Sequence, residues 1–479
     1  MDLKQKALNG VKWTSISSIV IAILQLAQVS ILARYLAPSD FGLMAIVTVV
    51  IGFSALFMDM GISSAIIHKQ DISHKQLSSL YWLNIFAGSV LFFIIYFSSS
   101  MVSQYYNEIQ IIPLIQLLAF SFLISAIGNQ YRILNQKKLL FNRLAKVEII
   151  SALISFVVAV ACAINDYGVY SLVYATLVNV SISNLIFMLQ GLREHKPSFI
   201  YKHSEVKNLI NFGLFQMGER SINYFNTQFD VILIGKLLGT EALGIYSMAK
   251  TLAMKPAQII NPIITKVTFP IMSRVQNDTK QLKNIYLKTL NYLCSVNFPI
   301  YIAIAILAEP LVLLLFGDKW IESIVILKIL SFYFMFRSIG NPVGSLQLAK
   351  GRADLGFYWN LGVFLLTPLV IYLGSVYGLI GVAISLLSLQ ILLHIPNWYF
   401  MVRPLCSAGF KEYFNEIIIP LSTAVIASVI GSLVYYLSPI ESVYVCSILF
   451  LFLALSIYIY LISKLNKSLW FMILSVLNR

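Results

Sequence analysis

Long apolar segments separated by short polar joints recur along the whole chain. Each segment is roughly 20 residues long, the length that an α-helix needs to cross a bilayer. The pattern predicts about fourteen spans, at residues 13–33, 41–67, 78–100, 109–131, 147–165, 168–192, 208–235, 241–272, 288–307, 323–347, 356–375, 378–401, 417–437 and 442–463. We therefore expect an all-α, polytopic membrane protein.

Composition agrees with this pattern. The 479 residues are 59% hydrophobic and 11% charged, and the mean hydropathy is +0.82, which excludes an ordinary soluble domain. The opening MDLKQKALNGVKW is basic, but the apolar segment behind it is too long for a cleaved signal peptide. We expect a retained first span.

The distribution of positive charge predicts the orientation. With a cytoplasmic N-terminus, most of the 34 Lys and Arg residues fall in cytoplasmic joints, whereas Arg34, Lys236 and Lys319 fall outside. This bias follows the positive-inside rule and places both termini in the cytoplasm. The net charge of +14 is then explained by this asymmetry and by anionic lipid, so no nucleic-acid partner is expected.

The cysteines and histidines predict neither a metal site nor redox chemistry. The four cysteines, which are widely scattered and form no CxxC motif, are expected to be free: Cys162, Cys294, Cys406 and Cys446. The histidine pairs His68/His74 and His195/His203 are expected to be solvated loop residues. No cofactor is expected either.

Two stretches of the chain repeat each other. Residues 113–138, PLIQLLAFSFLISAIGNQYRILNQKK, align with 325–350 without a gap and share Ile-Gly-Asn. In addition, ILARYLAPSDFGL (31–43) aligns with LIGKLLGTEALGI (233–245), which pairs Gly42 with Gly244. The chain is therefore predicted to be duplicated.

The offset between the copies corresponds to six spans. Because six is even, the copies have the same orientation and are expected to be related by an axis along the membrane normal, an arrangement found in transporters. The predicted domains are an N-terminal six-helix bundle (1–195), a C-terminal six-helix bundle (196–403), and two additional helices with a cytoplasmic tail (404–479). A duplicated bundle that transports nothing is the alternative.

The stretch FMFRSIGNP places Arg337 about 14 residues into its span, roughly 20 Å along the helix. A mid-membrane Arg costs on the order of 3 kcal/mol unless something compensates it. The second copy carries four such central cations where the first carries neutral residues: Arg220, Lys250, Lys255 and Arg337. Their first-copy equivalents are Ser18, Thr48, Phe53 and Ser125. Lys266 and Lys328 lie near span ends and are expected to snorkel.

Two interpretations of these cations remain open at the sequence level. They line a wet cavity for an anionic ligand, or they form internal ion pairs with acidic residues, for which Glu219, Asp230 and Asp59 are available. Helix breaks predicted beside them, at Lys255-Pro256, Asn261-Pro262 and Gly340-Asn341-Pro342, favour a binding path.

Several motifs resemble a known family. GVKW, ILARYLAPSDFGL, MDMGISSAIIHKQDISHKQLSSLYWLN and LLFGDKWIESIVILKIL are similar to the polysaccharide-transporter branch, including colanic-acid-exporter-like flippases, of the multidrug/oligosaccharidyl-lipid/polysaccharide exporter superfamily. The resemblance covers residues 1 to about 463. It implies two six-helix bundles around a central cavity, two further helices, and export of undecaprenyl-pyrophosphate-linked oligosaccharide across the bacterial inner membrane.

The cationic surplus fits a pyrophosphate-linked cargo. We expect alternating access by rocking of the two bundles, with the polyprenyl tail in lipid and the head group on the four cations. The expected partners are this cargo, a coupling ion (H⁺ or Na⁺), membrane lipids and the polysaccharide polymerase machinery. Glu219, Asp230 and Asp59 are the candidates for ion coupling, whereas Glu148 is expected at the membrane interface.

Other functions are disfavoured. A multidrug antiporter is expected to have an acidic or aromatic cavity, and a major-facilitator transporter usually carries a Gly-rich basic motif where this chain has HKQDISHKQ. A polysaccharide polymerase or ligase is expected to use a long external loop, and the joints here are short. Gly235-Lys236 is followed by Leu237, so there is no phosphate-binding loop for ATP. We therefore expect a secondary transporter rather than an enzyme.

Overall fold

The described part of the chain is helical throughout its membrane spans. The computed structural model describes residues 3–59, 66, 72–437, 442–465 and 470. The helices are α1 (Leu3–Tyr35), α2 (Pro38–Asp59), α3 (His74–Tyr106), α4 (Ile111–Lys137), α5 (Phe141–Ile164), α6 (Tyr170–Glu194), α7 (His203–Arg274), α8 (Thr279–Ile306), α9 (Ala308–Leu315), α10 (Glu322–Ile339), α11 (Asn341–Ala349), α12 (Ala353–Ser375), α13 (Gly378–Leu392), α14 (His394–Asn397), α15 (Arg403–Cys406), α16 (Phe410–Leu437) and α17 (Val443–Leu465).

The predicted spans are confirmed. Thirteen helical stretches of the described chain are long and apolar enough to cross a membrane, and one of them contains two predicted spans. This long stretch is α7, in which Gly239 has φ 85° and ψ 177°. Only glycine adopts this backbone region readily, so Gly239 separates the spans predicted at 208–235 and 241–272.

Local sequence explains where two of the helices, α3 and α8, begin. At the start of α3 the Ser73 side chain accepts from the Gln76 N–H, and the Gln76 side chain accepts from the Ser73 N–H. At the start of α8 the Asp278 carboxylate accepts from the Gln281 N–H at 2.9 Å. Both caps satisfy backbone donors that the first helical turn leaves without a partner.

The chain divides into two compact units, Met1–Gly244 and Ile245–Arg479. In the first unit α3 packs on α4, α4 on α6, and α5 on α6. In the second unit α8 packs on α10, α10 on α13, and α12 on α13, which are the equivalent pairs of the second copy. Because the same helix pairs meet in both units, the structure confirms the internal duplication; the domain boundaries after 195 and 403 stay a prediction.

The two additional helices belong to the second unit. α16 packs on α8 and α17 packs on α16, and the Tyr458 hydroxyl of α17 donates to the Ser295 carbonyl of α8 at 2.6 Å. That carbonyl lies four residues before Pro299, which has no N–H to offer it. A proline inside α8 thus creates the acceptor that holds α17.

The repeated Ile-Gly-Asn motif has a different structure in each copy. In the first copy α4 continues through Gly128 and Asn129, whereas in the second copy α10 ends at Ile339 and α11 begins at Asn341. The residue after Asn129 is Gln130, but the residue after Asn341 is Pro342, which cannot continue the backbone hydrogen bonds of α10. The predicted break at Gly340 is confirmed.

The breaks predicted at Pro256 and Pro262 are wrong. α7 runs through both residues, and the one non-helical residue recorded inside it is Gly239. The N–H of Ala257, next to Pro256, donates to the Tyr301 hydroxyl of α8 at 3.1 Å. The Tyr301 hydroxyl therefore satisfies a backbone N–H next to Pro256, which a local distortion of the helix would otherwise leave without a partner. With that donor satisfied, α7 accommodates the proline ring.

The segment between the two copies is hydrogen-bonded along α3. The Trp82 indole donates to the Ser198 carbonyl at 2.9 Å, the Ser198 N–H donates to the Ser78 hydroxyl at 3.0 Å, and the Lys202 N–H donates to the Ser79 hydroxyl at 3.1 Å. The Trp82 and Phe199 rings also stack, with centroids 4.8 Å apart. Residues 195–202 consequently follow the surface of the first unit.

The cysteine prediction is confirmed and the histidine prediction is partly wrong. All four cysteines are free. His195 is half-buried, and its ring lies 4.4 Å from that of His74, whose Nε2 lies 3.1 Å from the Lys196 carbonyl oxygen. His68 and the side chain of His203 lie outside the described residues. The contact between His74 and His195 joins positions far apart in sequence, which spacing alone does not predict.

Candidate functional site

Arg337 lies 15 residues into α10 and is partly buried. Its Nη1 donates to the Tyr333 hydroxyl at 2.9 Å, and its guanidinium carbon lies 5.8 Å from the centre of the Tyr333 ring. Tyr333 is four residues earlier on the same helix, so the two side chains share one face. A phenol is a neutral partner, so this contact orients the guanidinium without cancelling its charge.

Tyr301 connects this cation to α7. The Tyr301 hydroxyl accepts from the Ala257 N–H, and Arg337 interacts electrostatically with the same tyrosine. Lys255, which is half-buried, lies two residues before Ala257. The structure therefore brings the Lys255 segment of α7 and Arg337 of α10 to the same side chain of α8.

A hydrogen bond between two asparagine side chains lies one helical turn from the contact between Ala257 and Tyr301. The Asn297 amide nitrogen donates to the Asn261 side-chain oxygen at 3.2 Å and to the Leu293 carbonyl at 3.1 Å. Asn297 is fully buried, and Asn261 is 8% exposed. α7, α8 and α10 thus share a polar seam in the second unit, with Arg337 at one end of it.

The other predicted site residues are distributed between the two units. Lys250 is in the second unit and 8% exposed, and Asp230 is in the first unit and also 8% exposed. Arg220 is in the first unit and exposed. The side chains of Glu219 and Asp59 lie outside the described residues. Arg337 belongs to the seam, and Lys255 lies on α7 two residues before Ala257; the assignment of Lys255 and of the other predicted residues to a site stays a prediction.

The first unit contains a cavity of about 510 Å³ enclosed by α1, α4, α5 and α6. Its wall includes eleven polar side chains: Gln25, Gln28, Ser125, Asn129, Arg132, Glu148, Ser155, Thr176, Asn179, Ser183 and Asn184. The remaining wall is apolar and is formed by Ile21, Leu24, Ala152, Val180 and Phe187. Polar groups inside membrane helices carry an energetic cost, which makes this cavity a candidate functional site.

One ion pair lies in the wall of this cavity. Arg132 Nη2 of α4 is 3.3 Å from Glu148 Oε1 of α5. Arg132, which lies outside the predicted spans, is in fact within α4, and both residues line the cavity; the interfacial position of Glu148 stays a prediction. Because the pair joins one positive and one negative charge, the charged groups of the wall sum to zero.

The cavity of the first unit contains residues that the repeat relates to the cationic seam. Ser125 and Asn129 line the cavity, and their equivalents in the second copy are Arg337 and Asn341. The duplicated position therefore carries a neutral hydroxyl in one unit and a guanidinium in the other.

The sequence contained a signal for this cavity that motif searching missed. Gln25 and Gln28 are three residues apart, Ser125, Asn129 and Arg132 follow at spacings of four and three, and Asn179 and Ser183 are four apart. Such spacings place polar groups on one helix face. Tyr301 and Tyr333 were also missed, since aromatic residues inside an apolar span carry no distinctive pattern.

Comparison with known proteins identifies the family. The profile described as "Polysaccharide biosynthesis protein" matches residues 31–325. The chain is 32% identical to the lipopolysaccharide biosynthesis protein WzxC of Escherichia coli (strain K12), covering 90% of this chain and 89% of the relative. It is 33% identical to the teichuronic acid biosynthesis protein TuaB of Bacillus subtilis (strain 168), covering 89% of each.

A solved structure shares the fold. The lipid II flippase MurJ in an inward closed conformation superposes with a TM-score of 0.75 at 15% identity, over 95% of this chain and 99% of MurJ. The sequence relatives and this fold together confirm the predicted resemblance. The chain belongs to the polysaccharide biosynthesis protein family, and it is a multi-pass membrane protein with the fold of MurJ.

Proposed function

We propose that this protein is a flippase that moves undecaprenyl-pyrophosphate-linked oligosaccharide across the bacterial cytoplasmic membrane by ion-coupled alternating access, with both termini in the cytoplasm. The names of relatives support this proposal: WzxC is a lipopolysaccharide biosynthesis protein and TuaB a teichuronic acid biosynthesis protein. ExoT of Rhizobium meliloti, 24% identical over 77% of this chain, is a succinoglycan biosynthesis transport protein. The fold shared with a lipid II flippase favours a lipid-linked cargo.

The observation that carries the proposal is the position of Arg337. The residue lies deep in a membrane helix, where a guanidinium costs on the order of 3 kcal/mol or more. Tyr333 and Tyr301 orient it within the polar seam. An oriented Arg suits a phosphate because its donors match phosphate oxygens two at a time.

In this proposal Lys255, which is half-buried on α7 two residues before Ala257, supplies a second cation. Burial lowers the number of waters around both side chains, which strengthens their attraction for an anion. A pyrophosphate carries more negative charge than a carboxylate and therefore gains more from two cations. In this proposal Lys250 and Arg220 assist at other stages of transport, and the polyprenyl tail remains in lipid.

Asp230 is the proposed ion-coupling residue with the best described surroundings. Its carboxylate is buried in the first unit, and its Oδ1 accepts from the Val231 N–H at 2.8 Å. A buried carboxylate that exchanges a proton or binds Na⁺ couples an ion gradient to a conformational change. Glu219 and Asp59 are retained as further candidates from the sequence.

The test is export of surface polysaccharide by a deletion strain that carries Arg337→Ala, with the membrane level of the protein measured in parallel. Export should be lost at a normal protein level. Lys328→Ala is the matched control, because Lys328 is an exposed cation on the same helix, and export should then be retained. Normal export by Arg337→Ala would show that Arg337 is structural and that the cargo site is elsewhere.

A further inference from the structure

We infer that the cavity of the first unit is a saccharide-binding subsite, which recognises sugar hydroxyls of the cargo separately from its pyrophosphate. This inference rests on the proposed function for the identity of the cargo. It concerns a different part of the chain, since the cavity is lined by α1, α4, α5 and α6 whereas Arg337 and Lys255 belong to the second unit.

The chemistry of the wall favours a neutral, hydroxyl-rich ligand. Its two charged side chains, Arg132 and Glu148, are paired with each other, so the wall offers little attraction to a free anion or cation. The other polar groups are amides and hydroxyls, which both donate and accept hydrogen bonds. Sugar hydroxyls also both donate and accept hydrogen bonds. Two neighbouring hydroxyls can therefore pair with one amide, one donating to its oxygen and the other accepting from its nitrogen.

Several of these amides are available to a ligand. The Asn184 amide donates to the Val180 carbonyl at 2.9 Å, and the Ser155 hydroxyl donates to the Ala175 carbonyl at 2.7 Å, so these two groups already have helix partners. Within the described chain, the structure shows no such hydrogen bond for the side chains of Gln28, Asn129 and Asn179. These three amides come from α1, α4 and α6 and therefore surround the cavity from three sides.

The size and shape of the cavity suit a short saccharide. Its volume of about 510 Å³ falls within the roughly 300–1,000 Å³ range of small-molecule sites. The lining residues of α6 extend from Thr176 to Phe187, a length of about 16 Å at 1.5 Å per residue. Apolar side chains such as Phe187 and Ile21 supply surfaces for the C–H faces of sugar rings.

Equivalent positions in the two copies of the repeat differ in charge. Ser125 in the cavity corresponds to Arg337 in the second unit, and Gln28 corresponds to Asp230 at the offset of 202 residues. Each position is neutral in the first copy and charged in the second. After duplication, one copy is thus equipped for hydroxyls and the other for phosphate and ions.

The test measures ligand protection of a single cysteine in the cavity. The full-length protein carries Ser183→Cys in a Cys162→Ser background, and the native Cys294, Cys406 and Cys446, which are buried, stay in place. The modification rate of residue 183 by a small thiol reagent is measured with the free oligosaccharide repeat unit of the host polysaccharide, and separately with inorganic pyrophosphate. The saccharide should slow modification, whereas pyrophosphate should have no effect.

Amide substitutions make this test specific. Asn129→Leu and Asn179→Leu should each weaken protection about tenfold, the loss expected when a buried hydroxyl loses one hydrogen-bond partner. Gln136→Leu is the control: Gln136 is exposed on the same helix as Asn129 and is not in the cavity wall, so protection should be unchanged. Protection by pyrophosphate alone, or by neither compound, overturns the inference.

Export assays separate failure of this inference from failure of the proposed function. If Asn129→Leu and Asn179→Leu export polymer normally while Arg337→Ala does not, the saccharide subsite is refuted and the flippase proposal stands. If Glu148→Gln alone abolishes export while the saccharide gives no protection, the cavity serves ion coupling and the inference is again refuted. If the wild-type gene fails to restore export in the deletion strain, the proposed function itself fails.

Discussion

Gly42 of α2 and Gly244 of α7 face each other where their helices cross. A Cβ atom on Gly42 would overlap the carbonyl oxygen of Thr240, and a Cβ atom on Gly244 would overlap the carbonyl oxygen of Pro38. Thr240 is the repeat equivalent of Pro38, just as Gly244 is the equivalent of Gly42. The contact is therefore reciprocal, as expected where equivalent segments of two copies meet around a local two-fold axis.

The first prediction concerns this crossing. Gly42→Ala should lower stability by about 1–3 kcal/mol, because the added methyl group meets a backbone carbonyl that cannot rotate away. Thermal unfolding of the detergent-solubilised protein measures the effect. Gly362→Ala is the matched control, since Gly362 is a helical glycine with open space around its Cβ position. Equal melting temperatures of the two variants would contradict the close contact.

The second prediction concerns the Tyr301 hydroxyl. Tyr301→Phe should remove the acceptor of the Ala257 N–H and leave that donor buried, at a cost of about 1–3 kcal/mol. Export should also fall, because the same hydroxyl interacts with Arg337. Melting temperature and export are measured together, with Tyr358→Phe as the control at a tyrosine that is 67% exposed. Unchanged export by Tyr301→Phe would mean that the hydroxyl has no part in positioning Arg337.

The third prediction is a double-mutant cycle between Pro299 and Tyr458. Tyr458→Phe should cost about 1–3 kcal/mol, since it leaves the Ser295 carbonyl without its donor. In a Pro299→Ala background the residue at 299 has an N–H that can satisfy the same carbonyl within α8. The penalty of Tyr458→Phe should then shrink by at least half. Full additivity of the two substitutions would disprove the link between them.

The fourth prediction concerns pH. Burial, together with the neighbouring charges of His74 and Lys138, lowers the pKa of His195 from its ordinary value of 6.5. The unfolded chain therefore binds this proton more readily than the folded chain, so His195 should cost no stability above pH 6.5 and should destabilise the fold as the pH falls below that value. His195→Gln should reduce the difference in melting temperature between about pH 7.5 and about pH 5.5. If His195→Gln leaves the difference in melting temperature unchanged, groups other than His195 cause the loss of stability at low pH.

Hydrophobic patterning predicted the fold well because bilayer thickness fixes the length of each span. The repeat was equally visible, since the Ile-Gly-Asn motif and Gly42/Gly244 stay in register. Backbone detail was harder: proline predicts a break at both Pro256 and Pro342, yet only the second interrupts a helix. The difference depends on the Tyr301 hydroxyl, which is 45 residues from Pro256 in sequence and reaches Ala257 only through helix packing.

The candidate site was predicted less completely. Charge inside an apolar span is conspicuous, and it identified Arg337 and Lys255 because the membrane makes an isolated cation costly. Neutral amides carry a smaller penalty and appear in many helices, so Gln28, Asn129 and Asn179 did not stand out one at a time. Their common cavity becomes evident only when three helices are brought together.

The hydrogen bonds of residues 195–202 along α3 have a mechanical consequence. A connection between two repeats is often treated as flexible, but here the backbone N–H groups of Ser198 and Lys202 donate hydrogen bonds to the hydroxyls of Ser78 and Ser79. Residues 195–202 are therefore a fixed part of the first unit, which continues past them to Gly244. A connection of this kind behaves as one more packed layer on α3 rather than as a hinge.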